Sequence, residues 1–471
     1  MATSEQTANH RLAARMREAG ATNKGLAKRM RDASEEDDGE PIAPSHTSIA
    51  KYLSGQIAQP SDRSCQVMVK VLSEKLGRPL TLDDIGYARV APESADSTLA
   101  YPETIGDSIT ALTQLTDYEL SHTDRAAKLL VVPEAWSSLL VKAMYGDDRE
   151  SVGPTEPVQL SAADVQEVHD ATEMFSTFDH RYGGGQSKPL VAKYLQSAVL
   201  PLIPRVSQDN QLGRDYFQAV ASLTLRAGWT AYDIGEHAVA QRFLYQAYRL
   251  ARAARDKAFA GHVMACMSHQ ANFLGHFENA VHLARGASHG AQGAATPTAM
   301  AMFHAMEGRA LASQGNERDA TSALSTAENW LGNSDPANDP DWIWFFDEAE
   351  LHAEFAHCFR DLGNADKANQ HAATSIEVSK DEFVRSLSFC RSVLATSHLL
   401  AGELDQAVHV ASEVVDAAAH LKSYRVISYL NDFRQQLSER SDSAATRSFD
   451  EHFSEKLTSE RSPLSGRIII P

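Results

Sequence analysis

Residues 272–287 read NFLGHFENAVHLARGA, and the placing of Gly275, Ala280 and Ala284 in this stretch decides the fold. The same pattern, glycine then a residue five and another nine positions on, recurs as Gly235/Ala240/Leu244, Gly315/Ala320/Leu324, Gly363/Ala368/Ala372 and Gly402/Ala407/Ala411. The glycines stand 40, 40, 48 and 39 residues apart. A glycine lets the chain turn sharply between two antiparallel helices, and small residues on the second helix let neighbouring pairs approach closely. The spacing therefore predicts an all-α chain in which residues 190–436 form a solenoid of helix pairs, with an extended concave surface for binding.

Together with HLLAGELDQAVHVASE at residues 398–413, the pattern resembles tetratricopeptide repeats. Those repeats usually span about 34 residues, so the helices or their links are longer here. The longest interval carries DPDWIWFFDEAELHAEF, residues 339–355, where Trp342, Trp344, Phe345 and Phe346 sit beside Asp341, Asp347 and Glu348. Aromatics next to a few polar groups suit a groove for a small-molecule or peptide effector, and packing against the next repeat is the competing reading. His352 and His357 are five apart and so do not share a helical face as a metal pair would.

The N-terminal 90 residues follow a different plan. Leu12, Met16 and Ala19 mark one amphipathic helix ended by Gly20, and Thr22 caps a second whose inward face is Leu26, Ala27 and Met30. Pro44 and Ser45 start a third, stopped by Gly55; a fourth from Ser61 carries Cys65, Met68, Val69, Leu72 and Leu76, and a fifth short turn follows Thr81. Five short helices, the third polar on its outer face, are the plan of a helix-turn-helix domain.

The stretches TNKGLAKRM, residues 22–30, and SIAKYLSGQIAQP, residues 48–60, resemble the second and third helices of the Xre-type, lambda-repressor-like helix-turn-helix family. Two departures stand out: Asp32–Pro44 intervenes where the family has a turn of a few residues, and Leu53 occupies a position often acidic. The resemblance implies a third helix laid in the major groove, with Ser45, His46, Thr47, Ser48 and Lys51 toward the base edges. Asn23, Lys24, Lys28, Tyr52 and Gln56 would then meet phosphates.

Charge agrees with that division of labour. The 471 residues carry a net charge of -18. Residues 1–90 nevertheless hold 13 Lys and Arg against 12 Asp and Glu, six of those acids within Asp32–Glu40. Phosphate attraction dominates nucleic-acid binding, so any such contact belongs to this segment, while the acidic remainder discourages non-specific adhesion.

Other chemistries find little support. Hydrophobic content of 43% suits a folded globular chain, and no apolar run is long enough for a membrane span or a secretory signal, so a cytoplasmic location is expected. Cys65, Cys266, Cys358 and Cys390 are far apart, without metal-ligand spacing, and read as buried free thiols. The acidic run EEDDGE lacks the alternating ligands of a calcium loop, and GGGQSK, residues 183–188, lacks the order of a phosphate loop. With no nucleophile motif, metal cluster or cofactor loop, the expected protein is neither an enzyme nor a cofactor carrier.

Residues 91–103, rich in Ser, Pro and Ala, read as a linker, 104–189 as a helical connecting region with a flexible turn at the three glycines, and 437–471 as a polar tail. The connecting segment is also similar to one in actinobacterial regulators, Streptomyces among them, that join an Xre-type domain to helical repeats. That resemblance implies a homodimeric repressor of developmental or antibiotic genes on a pseudo-palindromic double-stranded DNA operator. The alternative is a repeat-based protein–protein adaptor that reads no DNA sequence.

Overall fold

The computed structural model describes residues 9–35, 42, 44–54, 60–76, 80, 83–87, 98–99, 101–121, 129–145, 160–380, 383–441 and 443–457. Every regular element among them is helical. No helix among the described residues is long and apolar enough to cross a membrane. The chain divides into two compact units, one within residues 1–96 and one within residues 97–468.

The first unit consists of α1 (His10–Glu18), α2 (Asn23–Glu35), α3 (His46–Ser54), α4 (Asp62–Leu76) and a single 3₁₀ turn at Asp83–Ile85. Leu12, Met16, Leu26, Met30, Ile49, Met68 and Leu72 bury their side chains in one small core, as their helical spacing predicts. Asn9 ties its edges together: its side chain caps α1 at Leu12 N (2.9 Å) and donates to Ile85 O (3.0 Å), while its backbone N–H reaches Leu53 O (2.9 Å). The segment from Asp32 is partly helix, because α2 runs on to Glu35. Buried Ser34 accepts from Ile42 N (3.0 Å), and Arg31 donates to Pro44 O (2.6 Å), so both bonds lead the returning chain to the start of α3.

The second unit begins with α5 (Ile105–Leu120), α6 (Pro133–Tyr145), α7 (Ala162–Tyr182) and α8 (Gly184–Tyr194). Five helix pairs follow: α9 (Gln211–Asp233) with α10 (His237–Ala253), α11 (Lys257–Phe273) with α12 (Phe277–Gly290), and α13 (Pro297–Ser313) with α14 (Glu317–Leu331). The last two pairs are α15 (Glu348–Asp361) with α16 (Ala365–Val378), and α17 (Val384–Ala401) with α18 (Leu404–Ala418). All five periodic glycines lie at the turn inside a pair with φ between 73° and 83°, where a side chain would be strained. The alanines five residues on are fully buried.

Three boundaries differ from the sequence reading. Residues 98, 99 and 101–103, at the end of the expected linker, are docked: Arg242, Gln246 and Arg249 of α10 bond to Thr98, Pro102 and Glu103, satisfying backbone carbonyls that a free linker would leave to water. The segment expected as a polar tail holds α20 (Ala444–Leu457) after α19 (Tyr424–Arg440), and α20 buries Phe449, Phe453 and Leu457 at four-residue spacing; residues 458–471 lie outside the described residues. The three glycines form a tight joint in place of a flexible turn. A Cβ on Gly183 would stand 2.8 Å from Lys422 O, and one on Gly184 would stand 2.5 Å from Thr230 O.

That joint changes the repeat surface. Lys422 N donates to Tyr182 O (3.0 Å), Gly185 N donates to Lys422 O (3.3 Å), and Ser423 Oγ donates to Asp233 Oδ1 (2.9 Å). The end of the repeat array is thereby sewn to its start. The extended concave groove expected of a solenoid is instead a chamber, walled by the first helix of each pair.

Candidate functional site

In the first unit the candidate surface is the start of α3 with the exposed side of α2. Ser45 and Ser48 cap α3 reciprocally: Ser48 N donates to Ser45 Oγ (3.1 Å) and Ser45 N donates to Ser48 Oγ (3.2 Å). Their hydroxyls also lie 3.0 Å apart, so both serve the helix end, with Ser45 exposed and Ser48 half-buried. His46 and Thr47 are exposed and Lys51 is half-buried. On α2, Lys24 and Lys28 are exposed and Asn23 is half-buried. Tyr52, expected at a phosphate, is 7% exposed inside the small core, where its carbonyl accepts from Tyr87 Oη (3.4 Å). An aromatic three residues after inward-facing Ile49 falls on the same helical face, so its ring packs inward. Gly55, Gln56 and Thr81 lie outside the described residues.

The second unit holds the chamber, a cavity of about 240 Å³. Its wall is built in register. Counting back 13, 10, 9 and 6 residues from Gly275 gives His262, Ala265, Cys266 and His269; from Gly363 it gives Glu350, Ala353, Glu354 and His357; all eight line the cavity. The same register places Arg226 and Trp229 on α9 and Met302, Met306 and Arg309 on α13. Positions spaced by three and four residues share one helical face, so the first helices of four successive pairs each turn one stripe inward.

Of the four aromatics in the long interval, Trp344, Phe345 and Phe346 line this chamber. Trp342 stands behind it, stacked on His262 with ring centroids 4.8 Å apart. The rings are legible in the sequence; the charged groups facing them come from distant helices. Arg385 on α17 donates to Asp179 (2.9 Å) and lies 3.3 Å from Asp233; Arg226 lies 3.5 Å from Asp179, and Arg425 on α19 lies 3.8 Å from Asp233. Arg309 pairs with Glu354 (2.7 Å) and donates to Tyr429 Oη (2.8 Å). Arg425 also stacks over Tyr232 and Phe389, 4.6 and 4.5 Å from their centroids, which compensates part of its lost hydration.

Burial and arginine neighbours fix the imidazoles as neutral. Burial, then Arg226, lowers His262 to about 3. Burial, with Arg309 behind it, holds His269 and His357 well below the usual histidine range. Glu350 moves the other way: burial, with Glu354 and Asp347 beside it, raises its carboxyl to about 8 against the pull of Arg309 and Arg425. The folded chain therefore keeps a proton there that an unfolded chain releases above about pH 4.3. Folding stability drains as pH rises from that value toward 8, since the native state binds the extra proton. Glu350→Gln is expected to melt with wild type near pH 4.5 and to melt higher by about 2–4 °C at pH 8.5, as followed by circular dichroism.

The four cysteines are buried and free. Burial raises Cys266 and Cys390 to about 12 and puts Cys358 well above the ordinary thiol range. All four are expected to resist Ellman's reagent in native buffer and to react fully in guanidinium chloride. Rapid native labelling of any one would contradict its placement. No group of three or more His, Cys, Asp or Glu among the described residues is arranged to hold a metal ion.

Residues 12–88, spanning α1 to the 3₁₀ turn, match the family model described as the SP15 N-terminal domain. No curated protein matches the chain.

Proposed function

We propose that this chain is a sequence-specific DNA-binding transcription regulator, probing DNA with α3 and sensing an effector in its repeat unit. The observation that carries the reading is the capped start of α3, which presents His46, Thr47 and Lys51 beside the exposed Lys24 and Lys28 of α2. A helix of this size enters the major groove, where Lys51 reaches guanine O6/N7 and His46 and Thr47 lie nearest the base edges. Lys24 and Lys28 take phosphates and set register. The Xre-like pattern of the same two helices supports a homodimer acting as a repressor in the cytoplasm, because one such module reads only a half-site.

A second reading, a protein–protein adaptor, is favoured by one feature. Val141, Met144 and Tyr145 on α6 are 58%, 66% and 79% exposed, an apolar face suited to a partner chain. Selection of bound duplexes from a random pool separates the two. The regulator is expected to enrich one two-fold motif, and His46→Ala/Lys51→Ala is expected to lose it, by tenfold or more in affinity. A folded protein that enriches nothing at low salt belongs to the adaptor reading.

A further inference from the structure

The chamber holds an imbalance of charge that its own residues do not settle. Arg226, Arg309, Arg385 and Arg425 face or flank the cavity, and the acids paired with them are Asp179, Asp233 and Glu354. Lys380 and Asp347, at the solvent edge, are exposed and opposite in sign. His262, His269 and His357 are neutral, and Glu350 keeps its proton at neutral pH, so four guanidinium groups meet three carboxylates. A buried cation without a counter-charge is costly, and this one lies where a ligand has room.

Hydrogen bonding gives the same sign. Arg226 Nε and Arg425 Nε have no hydrogen-bond acceptor, although Arg425 is only 5% exposed. His262 Nδ1 is also without a partner, and that side chain is 5% exposed. Asp179 Oδ1, behind the arginines, is also unpartnered, but it does not line the cavity; the two guanidinium nitrogens do, beside an apolar lining of Trp229, Met302, Met306, Phe345 and Phe389. A cavity of about 240 Å³, closed where Ser423 and Arg385 meet Asp233, admits a small molecule and excludes a helix or a folded partner.

We propose that the chamber is a receptor site for a small organic carboxylate, its acid group held by Arg226 and Arg425 and its apolar body packed against Trp229, Phe345 and Phe389. Planar guanidinium forks match a carboxylate better than any other side chain does. The ligand's charge completes the balance of four against four. This inference rests on the sensing half of the function proposed above and names its ligand class. It is independent of DNA reading, because binding is measured with no DNA present.

The test titrates the full chain with phenylacetate, indole-3-acetate and octanoate against their amides and against tryptamine, reading tryptophan fluorescence and melting temperature. N-acetylphenylalanine and a hexapeptide ending in phenylalanine distinguish a free acid from a peptide C-terminus. At least one carboxylate is expected to bind tenfold or more tightly than its amide, with tryptamine weakest. Arg226→Gln, which leaves Asp179 its bond from Arg385, is expected to remove that preference, and Met306→Trp to abolish binding by filling the cavity. Amides binding as well as acids, tryptamine binding best, or no acid in the panel binding the folded wild type would each overturn the assignment. Loss of the DNA motif with carboxylate binding intact would instead count against the DNA reading alone.

Discussion

Arg385→Ala is expected to destabilise the repeat unit by about 3–5 kcal/mol, the cost of removing one partner from a buried ion pair. Its guanidinium joins Asp179 at the end of α7 to Asp233 at the end of α9, and both carboxylates are fully buried. Burial alone would depress the Arg385 pKa, but Asp179 and Asp233 outweigh it and hold the group charged. Without it, Arg226 and Arg425 remain for the two acids only at 3.5 and 3.8 Å. The damage is local in sequence only, because Arg385 fastens the last repeat to the first. Hydrogen exchange is therefore expected to rise across α17 to α20 and along α7, with α1 to α4 unchanged. Arg385→Met combined with Asp179→Asn is expected to recover part of the loss, since it deletes one charge with its partner. A urea midpoint within experimental error of wild type for Arg385→Ala would show that the seam contributes nothing.

The second large effect concerns packing inside the helix pairs. Seven residues before each turn glycine stand Gly228, Ser268, Gly308, Ala356 and Ala395, all buried; nine residues after it stand Leu244, Ala284, Leu324, Ala372 and Ala411. Where the first position is glycine the second is leucine, and where the first is serine or alanine the second is alanine. The volumes complement each other. A Cβ on Gly308 would stand 3.0 Å from Leu324 Cδ2, and one on Gly228 would stand 3.0 Å from Leu244 Cγ. Gly308→Val is expected to cost about 1–3 kcal/mol by overpacking. Leu324→Ala alone is expected to cost about 2–5 kcal/mol through the cavity it leaves. The double variant should cost at least about 1 kcal/mol less than the sum, because the new side chain fills the new space. Strict additivity in urea unfolding would refute the pairing.

These two cases mark what the sequence discloses and what it withholds. The turn glycines and their following alanines identified the repeats because both act within one helix pair, over a few residues. The wall of the chamber was also legible in principle: His262 and His269, Arg309, and Glu350, Glu354 and His357 occupy one register on alternate helices. Polar residues recurring on an otherwise apolar inner face are the signal. Closure of the array had no local signature. It depends on Gly183 and Gly184 admitting the backbone of Lys422 and Thr230, contacts that span up to 239 positions of chain and require tertiary structure to see. In the small unit, helix boundaries were legible from Thr22, Gly20 and the Ser45–Ser48 cap, but Tyr52 belongs to the core. The helix Ala444–Leu457 has a weak signature in the sequence, because Phe449, Phe453 and Leu457 carry its apolar face through a polar stretch.

The central claim, that α3 reads DNA as one half of a symmetric pair, is tested most directly by hydroxyl-radical footprinting of the full chain on a selected duplex. The account predicts two protected patches related by a dyad and centred about 10 base pairs apart, both lost on His46→Ala/Lys51→Ala. Protection that survives that double substitution, or a single unsymmetrical patch, would contradict it.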